Sequence, residues 1–243
     1  MKFKKQMVIA HRGASGLVKH ENTIEAFAKA LEVGADSIEC DVRKTKDGKI
    51  IVVHDADYKG KLISELTYYE LSMITTGDGF LMPTLEDALM WCKGKILIDI
   101  EIKEEGYEEE LITLIKKYLT YDDFFIRAFM DSSIKLIKKL DKKIKTVLLL
   151  GEEHPKWGFL TRLSELFPLF RVLNTKCDMV SPHYRLIKFG YAWRLKLSGT
   201  PVLVWTVNDY DLIKEMLYKK KVAAVITNFP DVALKILAES KKV

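Results

Sequence analysis

Few features of this 243-residue chain suit an exported or membrane-embedded protein. Its three cysteines, Cys40, Cys92 and Cys177, are odd in number, widely separated and in no Cys-x-x-Cys pair. That excludes a disulfide framework and a thiolate metal site, and leaves buried free thiols. No apolar stretch approaches the ~20 residues of a membrane span. The basic start, Met1-Lys-Phe-Lys-Lys-Gln, is followed by an apolar run only over 7–10. A secretory h-region needs about 7–15 such residues, so a cytoplasmic protein is expected. Glycine and proline are sparse, and no internal repeat, low-complexity tract or interdomain linker is visible. Charge is not one-sided either: Lys and Arg number 39, Asp and Glu 34, and the formal net charge is +5. Such an excess favours a small anionic substrate, and the lysine pairs form no concentrated stripe of the kind that binds nucleic acid.

Hydrophobic residues make up 48% of the chain and charged residues 30%, enough to bury a sizeable core. Short apolar runs over 7–10, 37–42, 96–102, 124–129, 146–150, 178–181, 202–207 and 223–227 read as strands. Helical periods over 23–33, 84–92, 108–119, 132–140, 159–170, 188–197, 209–219 and 231–239 alternate with them. Eight β/α units near the roughly 250-residue size of that architecture predict a TIM (β/α)8 barrel in one domain, 1–243. A short hairpin and a small insertion, about 55–83, interrupt it after the second strand.

Asp47-Gly48 is a two-residue hairpin signal. Pairing Lys46 with Lys49 would set Asp41 directly opposite His54, whereas a bulge would move the register by one and turn His54 away. At the first helix, Asn22 and Glu25 have capping-box spacing, so Asn22 and Thr23 are as readily structural as substrate-facing. Apolar residues over 157–173 read better as a barrel helix with a broad core-facing stripe than as a lip for a lipid chain.

Strand alternation puts Glu39 and Asp41 on one face with Cys40 on the other, and does the same for Glu101 and Lys103. Three convergent carboxylates without sulfur favour one hard divalent cation, Mg2+, Ca2+ or Mn2+. The alternative, a buried ion-pair layer, would leave several acids facing a single lysine at a cost of several kcal/mol. Asp99 lies one layer deeper on the Glu101 face and is expected to support the ligands. His11 and His54, beside such a cluster, suit proton transfer in both directions. His20, His154 and His183 have no comparable context.

These residues fall in a series: His11-Arg12-Gly13, Glu21-Asn22-Thr23, Glu39-x-Asp41, His54-Asp55, Glu101-Ile102-Lys103, Trp205-Thr206-Val207-Asn208 and Ile226-Thr227-Asn228-Phe229-Pro230-Asp231. The series resembles the glycerophosphodiester phosphodiesterase family and spans nearly the whole chain. One departure is His20, where the family usually carries Pro before Glu-Asn-Thr.

The resemblance implies metal-dependent hydrolysis of glycerophosphodiesters to glycerol 3-phosphate and an alcohol. Glu39, Asp41 and Glu101 would hold the cation, with His11 as general base and His54 as general acid. Arg12 and Lys103 would contact the phosphate. Trp205 is either an apolar wall for the substrate or a packed core ring, and Asn208 is either a site residue or a helix N-cap. Two rivals stand beside this reading: a lysophospholipase D, and a non-catalytic binding barrel. The second has no chemical reason to keep so costly a set of charges.

Overall fold

The computed structural model describes residues 5–151, 158–188 and 190–239, so His154 and Trp157 lie outside the described residues. Among the described residues eleven strands occur: β1 (Met7–Ala10), β2 (Ser37–Lys44), β3 (Ile50–Val52), β4 (Asp57–Tyr58), β5 (Lys61–Leu62), β6 (Leu97–Ile102), β7 (Phe124–Ala128), β8 (Thr146–Leu150), β9 (Met179–Pro182), β10 (Leu203–Val204) and β11 (Ala224–Thr227). Eight of them form a parallel barrel in the order β10-β11-β1-β2-β6-β7-β8-β9. Bridges Val180–Val202 and His183–Trp205 join β9 to β10 and bring the ends of that sheet together. All eight expected strands are present.

Ten α-helices accompany them among the described residues: α1 (Ile24–Glu32), α2 (Tyr68–Gly77), α3 (Leu85–Cys92), α4 (Glu108–Tyr118), α5 (Asp131–Leu140), α6 (Phe159–Leu166), α7 (Leu169–Thr175), α8 (Tyr191–Leu197), α9 (Tyr210–Lys214) and α10 (Pro230–Glu239). Their inward faces and the outward faces of the strands build the main core, with Phe27, Leu89, Ile115 and Ile137 among its buried members. Inside the barrel, a lower apolar plug of Ile9, Phe125, Val147, Met179, Leu203 and Ile226 fills the end remote from the mouth. Burying each large apolar side chain is worth about 1.5–3 kcal/mol, and that favourable layer supports the charged one above it.

Three expectations are corrected. The first helix is capped by Thr23, whose Oγ1 accepts from Ala26 N at 3.1 Å, and not by Asn22. The hairpin turns through a three-residue loop, 46–48, with Thr45 N donating to Lys49 O and Gly48 at φ +80°. Val42 therefore pairs with Val52, one step off the simple register, and Asp41 lies level with Val53. Finally, the described part of that apolar stretch, 158–173, is two helices broken at Pro168; Leu166 and Val172 pack on the core, while Leu160, Leu163, Phe167, Leu169, Phe170 and Leu173 face outward. Phe170 and Leu173 are each 76% exposed.

The insertion over 55–83 holds the β4–β5 hairpin and α2. It has a small core of its own, formed by Ile51, Val53, Ile63, Leu66, Leu71 and Met82.

Candidate active site

Parity along the strands builds the mouth. Glu39 and Asp41 on β2 face inward, as do Asp99 and Glu101 on β6 and Arg127 on β7. Register sets Asp41 level with Glu101, and Glu101 level with Arg127. All five are buried. At the end of β1 the chain enters left-handed backbone, with Arg12 at φ 52° and Gly13 at φ +78°. A Cβ on Gly13 would lie 2.6 Å from Ala26 Cβ, so only glycine allows the turn to pack on α1. This turn aims the Arg12 amide at Glu39 Oε2 (3.0 Å) and its guanidinium at Glu21 Oε1 (2.6 Å).

A cavity of about 380 Å3 opens at the mouth. Its walls include His11, Arg12, Glu39, Asp41, His54, Glu101, Lys103 and Trp205, the residues expected to hold the cation, move protons or contact the substrate, and also Arg127, Phe129 and Met130, but not Asp99, Asn208, Asn22 or Thr23. No residue of the insertion over 55–83 lines it. His54 reaches the cavity despite the shifted register because the β2–β3 ladder ends at Val53 and the chain then leaves the sheet. Arg43 Nε fixes it there by donating to the His54 carbonyl oxygen at 2.9 Å.

One carboxylate oxygen each from Glu39, Asp41 and Glu101 lies within 4.8 Å of the others, the spacing of ligands around one cation. Their electrostatics differ. Burial and the neighbouring Asp41 raise Glu39 well above the ordinary carboxylate range. Burial also raises Glu101, against the pull of Lys103. For Asp41, burial works upward but is outweighed by Lys103 and Arg12, which hold it at about 2. Lys103 Nζ stands 2.6 Å from Glu101 and 3.3 Å from Asp41. Asn22 Nδ2 donates to Asp41 Oδ2 at 2.9 Å. Arg12 Nε is buried without a hydrogen bond, although Asp41 Oδ2 is 3.4 Å away. An oxygen-rich cluster in which burial and carboxylate repulsion push Glu39 upward is one that added positive charge would relieve, which fits a hard divalent cation.

The imidazoles are held differently. His11 Nδ1 pairs with Asn228 Oδ1 at 2.7 Å, which assigns the proton to Nδ1 and leaves the Nε2 lone pair toward Glu39, 3.9 Å away. Burial, reinforced by the positive charge of Arg12, lowers His11 to about 4. His54 Nδ1 pairs with the exposed Asp55 at 2.7 Å, so its Nε2 is the atom able to exchange a proton.

Other residues take places the sequence left open. Trp205 lines the cavity, donates from Nε1 to Ser181 O, and meets Phe129 and His183 edge-on. Asn208 is not a cap: Asp209 caps α9, while Asn208 Oδ1 accepts from Asn228 N. Asp99 is paired with Arg127, not with a ligand. Of the remaining histidines, His20 stacks on Phe80 and His183 caps the short helix after β9.

A closed parallel barrel with acids, imidazoles and cations gathered at its carboxyl end defines a hydrolase shaped for a phosphate ester. Residues 11–232 match the Glycerophosphoryl diester phosphodiesterase family, and the chain belongs to that family. It is 31% identical to a glycerophosphodiester phosphodiesterase of Caldanaerobacter subterraneus subsp. tengcongensis, over 96% of this chain and 98% of the other. Among solved structures, it superposes on the glycerophosphodiester phosphodiesterase of Thermotoga maritima with TM-score 0.80 at 27% identity, covering 97% of this chain and 100% of that one. An Oleispira antarctica phosphodiesterase in complex with the product sn-glycerol-3-phosphate matches with TM-score 0.82 at 23% identity, over 96% and 97% of the chains. The chain is accordingly an enzyme of the phosphoric diester hydrolase class.

Proposed function

We propose that the enzyme hydrolyses glycerophosphodiesters to glycerol 3-phosphate and an alcohol, with Glu39, Asp41 and Glu101 holding one Mg2+, Mn2+ or Ca2+. The observation that carries this reading is the convergence of three carboxylate oxygens within 4.8 Å in a cavity that His11, His54, Arg12 and Lys103 share. A bound cation would supply charge neutralisation at the phosphoryl oxygens.

The chain's own groups divide the remaining work. His11, uncharged at neutral pH and oriented by Asn228, takes the proton of the attacking oxygen nucleophile at Nε2, and water supplies the oxygen that ends on the phosphate of glycerol 3-phosphate. His54 gives a proton to the departing alkoxide as the P–O bond breaks. Arg12 and Lys103 offer cationic donors to the phosphate oxygens, where negative charge grows in the transition state. Trp205 and Phe129 form the apolar wall beside the glycerol or alcohol portion. Among the described residues no helix is long and apolar enough to cross a membrane, and the three buried free thiols agree with a reducing, cytoplasmic location.

The deciding experiment is product analysis from glycerophosphocholine and lysophosphatidylcholine in parallel, with chelator and with each metal restored. Release of glycerol 3-phosphate from the first substrate, abolished by chelation, is the expected outcome. Full turnover after metal removal confirmed by elemental analysis would end the metal role. Preference for the lysophospholipid would end the substrate assignment.

A further inference from the structure

Eight of the seventeen exposed large apolar side chains among the described residues fall between positions 160 and 197. Leu160, Leu163, Phe167, Phe170 and Leu173 stand on the outside of α6 and α7. On α8, Trp193 is 64% exposed and Leu197 68%. The three helices are neighbours. Tyr191 Oη donates to Glu165 O at 3.1 Å, Arg194 Nη2 donates to Leu166 O at 3.1 Å, and the Arg194 guanidinium lies 5.2 Å from the centre of the Phe167 ring. The apolar side chains thus form one broad face on a single flank of the barrel, larger than scattered surface leucines would make.

The segment that carries this flank is also basic. Between residues 158 and 200 there are seven Lys or Arg and two acids, a surplus equal to the formal net charge of +5 for the whole chain. Neither acid is open to a partner. Glu165 is buried against Gly151 N and Arg162, and Asp178 pairs with Lys138 at 2.6 Å. Of the cations, Arg162 pairs with Glu165 and Arg171 with Asp131, which leaves Lys176, Arg185, Lys188 and Lys196 as the exposed ones. Pure apolar burial would not call for this surplus. A second copy docking through the same face would set two basic surfaces against each other, and leucine-rich relief is poorly suited to nucleic acid.

We propose that the outer face of α6, α7 and α8 docks on an anionic lipid surface, with leucine, phenylalanine and tryptophan side chains entering the interface and the lysines and arginines meeting lipid phosphates. This attachment would hold the barrel against a membrane through a flank that contributes nothing to the cavity at the mouth. It does not depend on the chemistry proposed above.

Co-sedimentation with vesicles tests it, using phosphatidylcholine and phosphatidylglycerol at a ratio of about 3:1 against phosphatidylcholine alone. The parent protein should sediment with the anionic vesicles. Its partition coefficient should fall about tenfold or more on neutral vesicles and in about 0.5 M NaCl, where screening shortens the reach of the lysines. Phe170→Glu with Leu173→Glu should lower it by a similar factor and leave hydrolysis of glycerophosphocholine unchanged, and Trp193→Ala should weaken it in the same direction. The proposal is overturned if the parent stays in the supernatant at low salt, or if the double variant binds as the parent does. It is also overturned if sedimentation velocity shows a dimer that the double variant separates, since the face would then belong to a second copy.

Discussion

Arg127 reaches across from β7 to Asp99 on β6 and closes a two-pronged, fully buried ion pair, its Nε 2.8 Å from Asp99 Oδ1. Asp99 lies level with Glu39, one layer below Asp41 and Glu101, and Arg127 lies level with Glu101. The pair explains how four acids tolerate the barrel interior, since Arg127 draws Glu39 and Glu101 downward against burial as well as neutralising Asp99.

Breaking that pair from either side should destabilise the fold by about 3–5 kcal/mol, because one buried charge is left uncompensated. The effects on metal should have opposite signs. Asp99→Asn releases the positive charge of Arg127 toward the carboxylates and should weaken Mn2+ binding. Arg127→Met removes a competing cation and should tighten it. The double variant should recover stability and return the affinity toward that of the parent. Urea denaturation and titration calorimetry read the two quantities separately, and affinities that move in the same direction would show that the pair acts only as scaffold.

Much of this was legible beforehand, for a reason particular to strands. Alternation fixes which face a side chain takes once the strand is recognised, so Glu39, Asp41, Glu101 and Lys103 followed from period two alone. Arg127 carried the same signal between Phe125 and Phe129, as a lone charge in an inward row, and was passed over because no motif surrounds it. Asn22 and Asn228 could not be read, since each acts through a turn whose path depends on tertiary contacts. The hairpin register slipped because Thr45 closes onto Lys49 and lengthens the loop by one residue. The rotation of α6 was hidden for a different reason. Periodicity marks an apolar face but not its direction, and here Glu165, anchored to Gly151 N at 2.7 Å, draws the polar side inward.

Metal binding should release protons. Burial and the neighbouring Asp41 push Glu39 well above the usual carboxylate range, while Asp41 stays ionised down to about 2. A bound cation favours the ionised carboxylate, so entry of Mn2+ should pull Glu39 back down and expel a proton over the pH range in which it is protonated without metal. Calorimetry in two buffers of different ionisation enthalpy measures this directly. Glu39→Gln should abolish the release and weaken binding, and identical heats in both buffers for a tightly binding parent would contradict the assignment.

Asn228 should govern His11 without contacting substrate. Asn228→Ala removes the acceptor for Nδ1, and kcat should fall by about tenfold or more, short of the 100-fold or greater loss expected for His11→Ala, with KM little changed. Asn228→Asp replaces a neutral acceptor with a carboxylate, which favours the charged imidazole. Its acid limb in a profile of kcat/KM against pH should move upward from that of the parent. A limb that stays in place would mean that Asn228 supports the loop and not the base.

His11 should also leave a mark on stability. Its pKa is about 4 in the folded chain, lowered chiefly by burial, against 6.5 for the free side chain. Below pH 6.5 the unfolded chain takes up a proton that the folded chain refuses, so stability drains as pH falls and the loss is complete near pH 4. At about 1.4 kcal/mol for each unit, that window costs the parent about 3 kcal/mol. His11→Gln has nothing to titrate there. The difference in unfolding free energy between parent and variant, measured by urea denaturation with chelator present, should shrink in the parent's disfavour by that amount from pH 6.5 to 4 and stay flat above pH 7. Two parallel curves across the window would mean that the imidazole is reached by solvent and titrates as a surface group.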